Sequence, residues 1–137
     1  MALTNIFDIA GSALGAQALR LNTTASNLAN ADSVTGDPDE VYRAREPIFA
    51  AILDRYGTGE PAGGVDVRGI VERDRPATME FRPDHPLANE DGYVYRPNVD
   101  SIEEMANMIS ASRSFEANVE VMNTSKQMLL RTLSLGE

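Results

Sequence analysis

Cysteine is absent from this 137-residue chain. That excludes disulfides and thiolate metal sites. It leaves the compartment open, although it suits a protein that must not crosslink in an oxidising space. Histidine occurs once, at His85, between Pro83 and Pro86. A lone imidazole in a proline-flanked polar loop reads as a turn residue. A histidine-based triad would need a nucleophile motif that the chain does not contain, and one imidazole with carboxylates is a weak set for zinc. Basic side chains are in deficit, with 12 Lys and Arg against 21 Asp and Glu, for a net charge of −9. The deficit argues against a general nucleic-acid binder and against an anionic membrane surface; its chief effect is solubility. No run is long and apolar enough to cross a bilayer. The opening residues 1–8 lack the basic start and apolar core of a secretory signal peptide, so the chain is expected to be cytoplasmic or exported by a route without one. Proline is missing from both ends: all seven lie between Pro38 and Pro97.

The two proline-free ends carry the organisation. A length of 137 residues allows one ordinary domain, or a small one with appendages. A hydrophobic content of 42% argues against a wholly disordered chain. Residues 3–30 and 99–133 read as long helices with seven-residue apolar ladders, Phe7, Leu14, Leu21, Leu28 and Met108, Phe115, Met122, Leu129. A strict seven-residue repeat keeps one stripe facing a partner helix. The first helix is expected to start near Thr4 or Asn5 and to run to about Asn30, on the order of 40 Å at roughly 1.5 Å per residue. Ile6, Phe7 and Ile9 point in three directions around it, which calls for surrounding protein. Gly11 and Gly15 weaken it by roughly 1 kcal/mol each relative to alanine, so it is expected to form fully only when packed. Asn27 and Asn30 are candidates to close it and to hydrogen-bond neighbouring backbone, by way of the left-handed conformation that asparagine tolerates.

The middle is different in kind. Thr35-Gly36-Asp37-Pro38-Asp39-Glu40 reads as a turn. Short strands are expected at 41–45, 48–53, 65–71, 78–82 and 92–96, with 56–64 as a flexible connection. Few large apolar residues serve these strands, so a small β module of limited stability is expected. Residues 31–98 hold 14 acids and eight arginines, a net −6, and are expected to be exposed. Asp37-Pro38-Asp39-Glu40 lacks the spaced loop of an EF-hand, and the glycines at 57, 59, 63 and 64 are not followed by the Lys-Ser/Thr of a phosphate loop.

The last helix opens at Val99-Asp100-Ser101-Ile102-Glu103, where Asp100 and Glu103 fit a variant capping box. Asp100, Glu103 and Glu104 suit the positive end of the helix dipole. Glu103 and Glu104 do not share a face, so capping outweighs paired-carboxylate chemistry. A seam is expected along Met105, Met108, Ser112, Phe115, Val119, Met122, Lys126, Leu129 and Leu133, with Gly136 ending the helix. Ser112 and Lys126 interrupt it, which favours a bundle or lattice over a long two-stranded coil. The methionines on it read as packing rather than as an adaptable groove.

Several segments together resemble a known family. Ala25-Ser26-Asn27-Leu28-Ala29-Asn30-Ala31-Asp32 is similar to the N-terminal signature of flagellar rod and hook proteins. The opening 5–14, Arg20-Leu21-Asn22, Pro97-Asn98-Val99-Asp100, residues 110–124 and Thr132-Leu133-Ser134-Leu135-Gly136 narrow the likeness to the basal-body rod proteins. The resemblance covers essentially the whole chain. It implies a non-enzymatic structural subunit of the proximal rod, the drive shaft that carries torque from rotor to hook. It also implies export through the flagellar type III apparatus without a cleaved signal peptide, and a periplasmic place in the basal body. The implied partners are copies of the chain, other rod subunits, and the MS ring and export gate at the rod base, with no nucleic acid, small-molecule substrate or cofactor. The fold class expected is α+β: a coiled-coil-like α domain from residues 1–32 and 99–137 around a β-rich module at 33–98. Two other readings compete. One is a soluble helical adaptor or export chaperone using the same stripes; the other is a small hydrolase using His85 and nearby acids.

Overall fold

The computed structural model of the chain describes residues 2–53 and 61–134. In chain order it has α1 (Ala2–Asn30), β1 (Arg45–Leu53), β2 (Pro61–Glu72), β3 (Thr78–Phe81), β4 (Tyr93–Arg96) and α2 (Ser101–Ser134), with one 3-10 turn at Pro38–Glu40. The class is α+β. Asp37 caps the 3-10 turn by accepting from the Asp39 amide.

The helices are about 43 and about 51 Å long at ~1.5 Å per residue. They run antiparallel: the last turns of α1 meet the first turns of α2 through Asn27 and Glu104, and one step along Arg20 meets Asn107. α1 starts at Ala2, ahead of the expected Thr4 or Asn5, because nothing in Ala2-Leu3-Thr4 opposes a helix. At its end Asn30 Nδ2 donates one turn back to the Ser26 carbonyl at 2.8 Å, and the Asn30 carbonyl accepts from the Ser33 amide (3.1 Å) and hydroxyl (2.8 Å). The left-handed backbone expected there is absent; among the described residues every non-glycine φ is negative. Asp100 caps α2, its Oδ1 accepting from the amides of Ile102 (2.9 Å) and Glu103 (3.2 Å).

The buried seam of α2 corrects the expected one. Met108, Phe115, Met122 and Leu129 are half-buried, but the column that completes the three-four spacing is Glu104, Ala111, Asn118 and Ser125, buried or half-buried. The expected column of Met105, Val119, Lys126 and Leu133 is exposed, and only Ser112 is half-buried. Either column satisfies a heptad with the shared ladder, and they lie ~100° apart around the helix. Hydrophobicity selects the wrong one here, because the inner column is small and polar.

Two separate two-stranded antiparallel sheets form the middle. β1 pairs with β2 from Arg45↔Glu72 to Leu53↔Pro61, with irregularities after Ile48 and Ala51. This sheet lies on α1: Ser12 Oγ donates to the Ile9 carbonyl (2.8 Å) and accepts from the Val65 amide (3.1 Å). Gly63 and Gly64 belong to β2, not to the flexible connection expected over 56–64. A Cβ on Gly63, at φ +86°, would sit 2.8 Å from the Ile9 side chain, and one on Gly64 would sit 2.8 Å from that of Ile52, so glycine there permits close approach. Residues 56–60 of that connection, and Gly136, lie outside the described residues. The strand expected at 41–45 begins only at Arg45, the preceding residues being an extended lead-in.

β3 and β4 pair from Thr78↔Arg96 to Phe81↔Tyr93, with the rings of Phe81 and Tyr93 edge to face at 5.1 Å. Thr35 exchanges both backbone hydrogen bonds with Tyr95, and Arg96 reaches Asp32, so this hairpin is tied to the chain leaving α1. The core is thin. The buried apolar side chains among the described residues are Ala10, Ala16, Ala31, Ala44, Val94, Pro97 and Ala111, and only Val94 and Pro97 are larger than alanine.

Candidate assembly site at the helix junction

Among the described residues Asn27 makes the most side-chain hydrogen bonds. It sits three residues before the end of α1 and is 1% exposed. Its Nδ2 donates to the Arg45 carbonyl (2.9 Å) and to Glu104 Oε2 (3.1 Å); its Oδ1 accepts from the Arg45 amide (2.8 Å) and the Tyr42 hydroxyl (2.8 Å). A primary amide has two hydrogens and two acceptor lone pairs, and all four are used. The amide meets both backbone groups of Arg45 at the start of β1, much as a neighbouring strand would. Asn27 therefore joins α1, the lead-in to β1, and α2. Tyr42 also reaches Ser26 at 3.2 Å, and the Arg45 guanidinium lies 5.8 Å from the Tyr42 ring centroid, within cation–π range.

Charged residues bind the same junction from outside. Arg73, just beyond β2, pairs with Glu46 of β1 and at 2.8 Å with Glu103 of α2. Arg75 joins Glu103 at 3.5 Å. Hydrogen bonding to Glu46 and Glu103 raises the Arg73 pKa further above its already high value. The hydrogen bond from Arg73 holds the Glu103 carboxyl below the usual carboxylate range. Glu103 thus reaches to Arg73 rather than back to the backbone as a capping box requires. Glu104 is not a surface dipole residue but 3% exposed. Sequence reasoning missed both roles; the signal available was an acid in phase with Ala111 and Ser125. A cleft of about 250 Å³ lies between α1, β1 and α2, lined by Arg20, Arg45, Glu46, Arg73, Glu103 and Glu104 among others.

The ladder residues Phe7, Leu14, Leu21, Leu28, Met108, Phe115, Met122 and Leu129 are all half-buried, and the Asn30 side chain bonds back to the Ser26 carbonyl. On α1 the fully buried positions are Ala10, Ala16, Thr23, Thr24 and Asn27, so the ladder occupies the flank of the buried stripe. His85 is a turn residue, its Nδ1 accepting from the Leu87 amide at 3.1 Å. Among the described residues no group of three or more His, Asp or Glu is placed to hold a metal, and no helix is long and apolar enough to cross a membrane.

What remains uncovered is apolar. Among the described residues seventeen large hydrophobic side chains are exposed, including Ile102, Met105, Ile109, Val119, Leu130 and Leu133 along one side of α2. Isolated exposed apolar residues are ordinary; a row that recurs along one side of a helix, here interrupted by Ser112 and Lys126, is a surface suited to being covered. Paired terminal helices, a thin core and an uncovered stripe define a subunit of a protein assembly.

The comparisons with known proteins give the assembly. Residues 7–36 match a family described as flagella basal body rod protein, and residues 90–135 match one described as flagellar basal body rod FlgEFG protein C-terminal. The chain is 53% identical to the flagellar basal-body rod protein FlgC of Salmonella typhimurium and 54% identical to that of Escherichia coli O157:H7, each over the whole of both chains. It is 37% identical to FlgC of Bacillus subtilis over 95% of each. The chain belongs to the FlgC family of flagellar basal-body rod proteins, and it is a structural subunit of the proximal rod. Rod proteins matched over the full length do not favour the adaptor or chaperone reading.

Proposed function

We propose that the chain polymerises through its terminal helices into the drive shaft that carries torque from rotor to hook. Residues 1–32 and 99–137 form the axial α domain, and 33–98 stands outside it. Phe7, Leu14, Leu21 and Leu28 with Met108, Phe115, Met122 and Leu129 supply packing, within the chain and to copies of it and other rod subunits. Asn27, Leu28 and Asn30 set the turn out of the first helix. At the rod base the neighbours are the MS ring and the export gate. The subunit reaches the periplasm through flagellar export without a cleaved signal peptide, and no catalysis is involved. The observation that carries this reading is the exposed stripe on α2: a helix already paired on one side offers a second apolar side that its own chain leaves open.

Met105 reports on that side directly. It is 47% exposed in the single chain. Brief peroxide treatment followed by peptide mass analysis compares its oxidation in the dilute chain and in isolated basal bodies. Protection by about tenfold or more on assembly is expected, since oxidation follows exposure. Equal oxidation in the two states would remove this side of α2 from the assembly interface.

A further inference from the structure

Among the described residues Glu104 has no cationic partner. The three arginines of its cleft are engaged elsewhere: Arg20 donates to Asn107, Arg45 pairs with Glu72, and Arg73 pairs with Glu46 and Glu103. A buried carboxylate without a paired charge is unfavourable to keep, so a compensating use is expected. Its hydrogen bond in the structure is from Asn27 Nδ2. The other three bonds of the Asn27 amide all go to the segment entering β1, through Tyr42 and both backbone groups of Arg45. The amide is planar, and its two ends are chemically opposite. Turned over, it would set its NH2 against the Arg45 N–H and its oxygen against the Arg45 carbonyl. Arg45 thus sets which way the amide faces, and Glu104, by taking the second N–H hydrogen, holds it there from α2.

We infer that Glu104 is a positioning residue: by accepting from Asn27 it fixes the amide that closes Arg45, and so couples pairing of α1 with α2 to the seating of the β1–β2 sheet. The sheet is then fully attached only where α2 has docked. Ordering of the terminal helices is thereby passed to the outward module, which deepens the rod reading and rests on it only for that consequence. The coupling itself belongs to the isolated chain and is tested there, so its failure is separate from a failure to build rods.

The test is amide exchange by NMR on the full chain, with the Arg45 amide as reporter and the Tyr95 amide, bonded to Thr35 away from the junction, as reference. In Glu104→Leu the protection of Arg45 falls about tenfold relative to Tyr95. In Glu104→Gln, which keeps an acceptor oxygen and removes the charge, it stays within about twofold of the wild type. In an Asn27→Ala background Glu104→Leu produces no further loss. Unchanged Arg45 protection in Glu104→Leu, an equal loss in Glu104→Gln, or additive losses in the double variant would each overturn the coupling. Should Glu104→Leu not fold, the wild type in graded urea decides: Arg45 and residues 104–111 lose protection together if coupled, and at separate urea concentrations if not.

Discussion

The two sides of α2 are the reverse of an ordinary surface helix. The inward column is Glu104, Ala111, Asn118 and Ser125, small or polar and buried or half-buried. The outward column, one residue further on at each step, is Met105, Ser112, Val119, Lys126 and Leu133, with Ile102, Ile109 and Leu130 beside it. A helix made only for its own chain would exchange these sets. Small inward residues let the backbones of α1 and α2 approach closely, so the pair is narrow and hydrogen-bonded. Large outward residues have nothing to fill within the chain. The inner side specifies one geometry through fully satisfied polar contacts; the outer side supplies the area that association requires.

Breaking the outer side gives the largest expected effect. Val119→Asp combined with Ile109→Asp abolishes swimming in a strain that has this chain as its only copy. The urea midpoint of the purified chain stays where it was, because substitutions at exposed positions move stability by only about 0.5 kcal/mol. A strain that swims normally with both aspartates would show that the outward stripe is not an assembly surface. A large drop in the chain's own stability would place the stripe inside the fold.

Breaking the inner side reverses the readouts. Ala111 is fully buried against α1, and leucine there adds three carbons to a contact sized for one methyl. Overpacking of this kind costs typically 1–3 kcal/mol. Ala111→Leu is therefore expected to destabilise the chain by that amount, read as a lower urea midpoint, and to leave swimming partly intact, since the outward stripe is untouched. A neutral or stabilising result would mean that the helices stand further apart than the buried alanines imply.

The same reversal explains how far the sequence could be read. Helix–middle–helix organisation was legible because proline stops at Pro38 and Pro97 and because both ladders repeat every seven residues. Three of the five expected strands lie within β1, β3 and β4 to within a residue, and that at 65–71 within β2. The seam was legible only in its shared half, because pattern reading ranks positions by hydrophobicity and the inner column has almost none. Asn27 stood out as part of a signature, but its four bonds reach residues 15, 18 and 77 positions away, a span at which periodicity carries no information. Glu103 and Glu104 looked alike at the start of a helix. The fold separates them by ~100°, sending one to Arg73 and the other into the core.

The ion pairs around Arg73 sharpen the comparison last, with the smallest effect. They sit on the rim of the junction, where the Glu103 side chain is 37% exposed. Water screens such a pair, so its contribution is under about 1 kcal/mol. Its sign is fixed by the lowered Glu103 pKa, caused first by the hydrogen bond from Arg73. A carboxyl that is more acidic folded than unfolded stabilises the fold at neutral pH. That contribution is complete above the unfolded value of about 4.3 and disappears as pH falls through the lower folded value. The wild type should therefore be more stable than Glu103→Gln at pH 7 by a few tenths of a kcal/mol, and the gap should close toward pH 3 and in ~1 M salt. Urea midpoints of the two chains across that range measure it. A gap that widens in acid would mean that Glu103 is held in its protonated form, and Arg73 would then keep an ion pair only to Glu46 of β1, with none to α2.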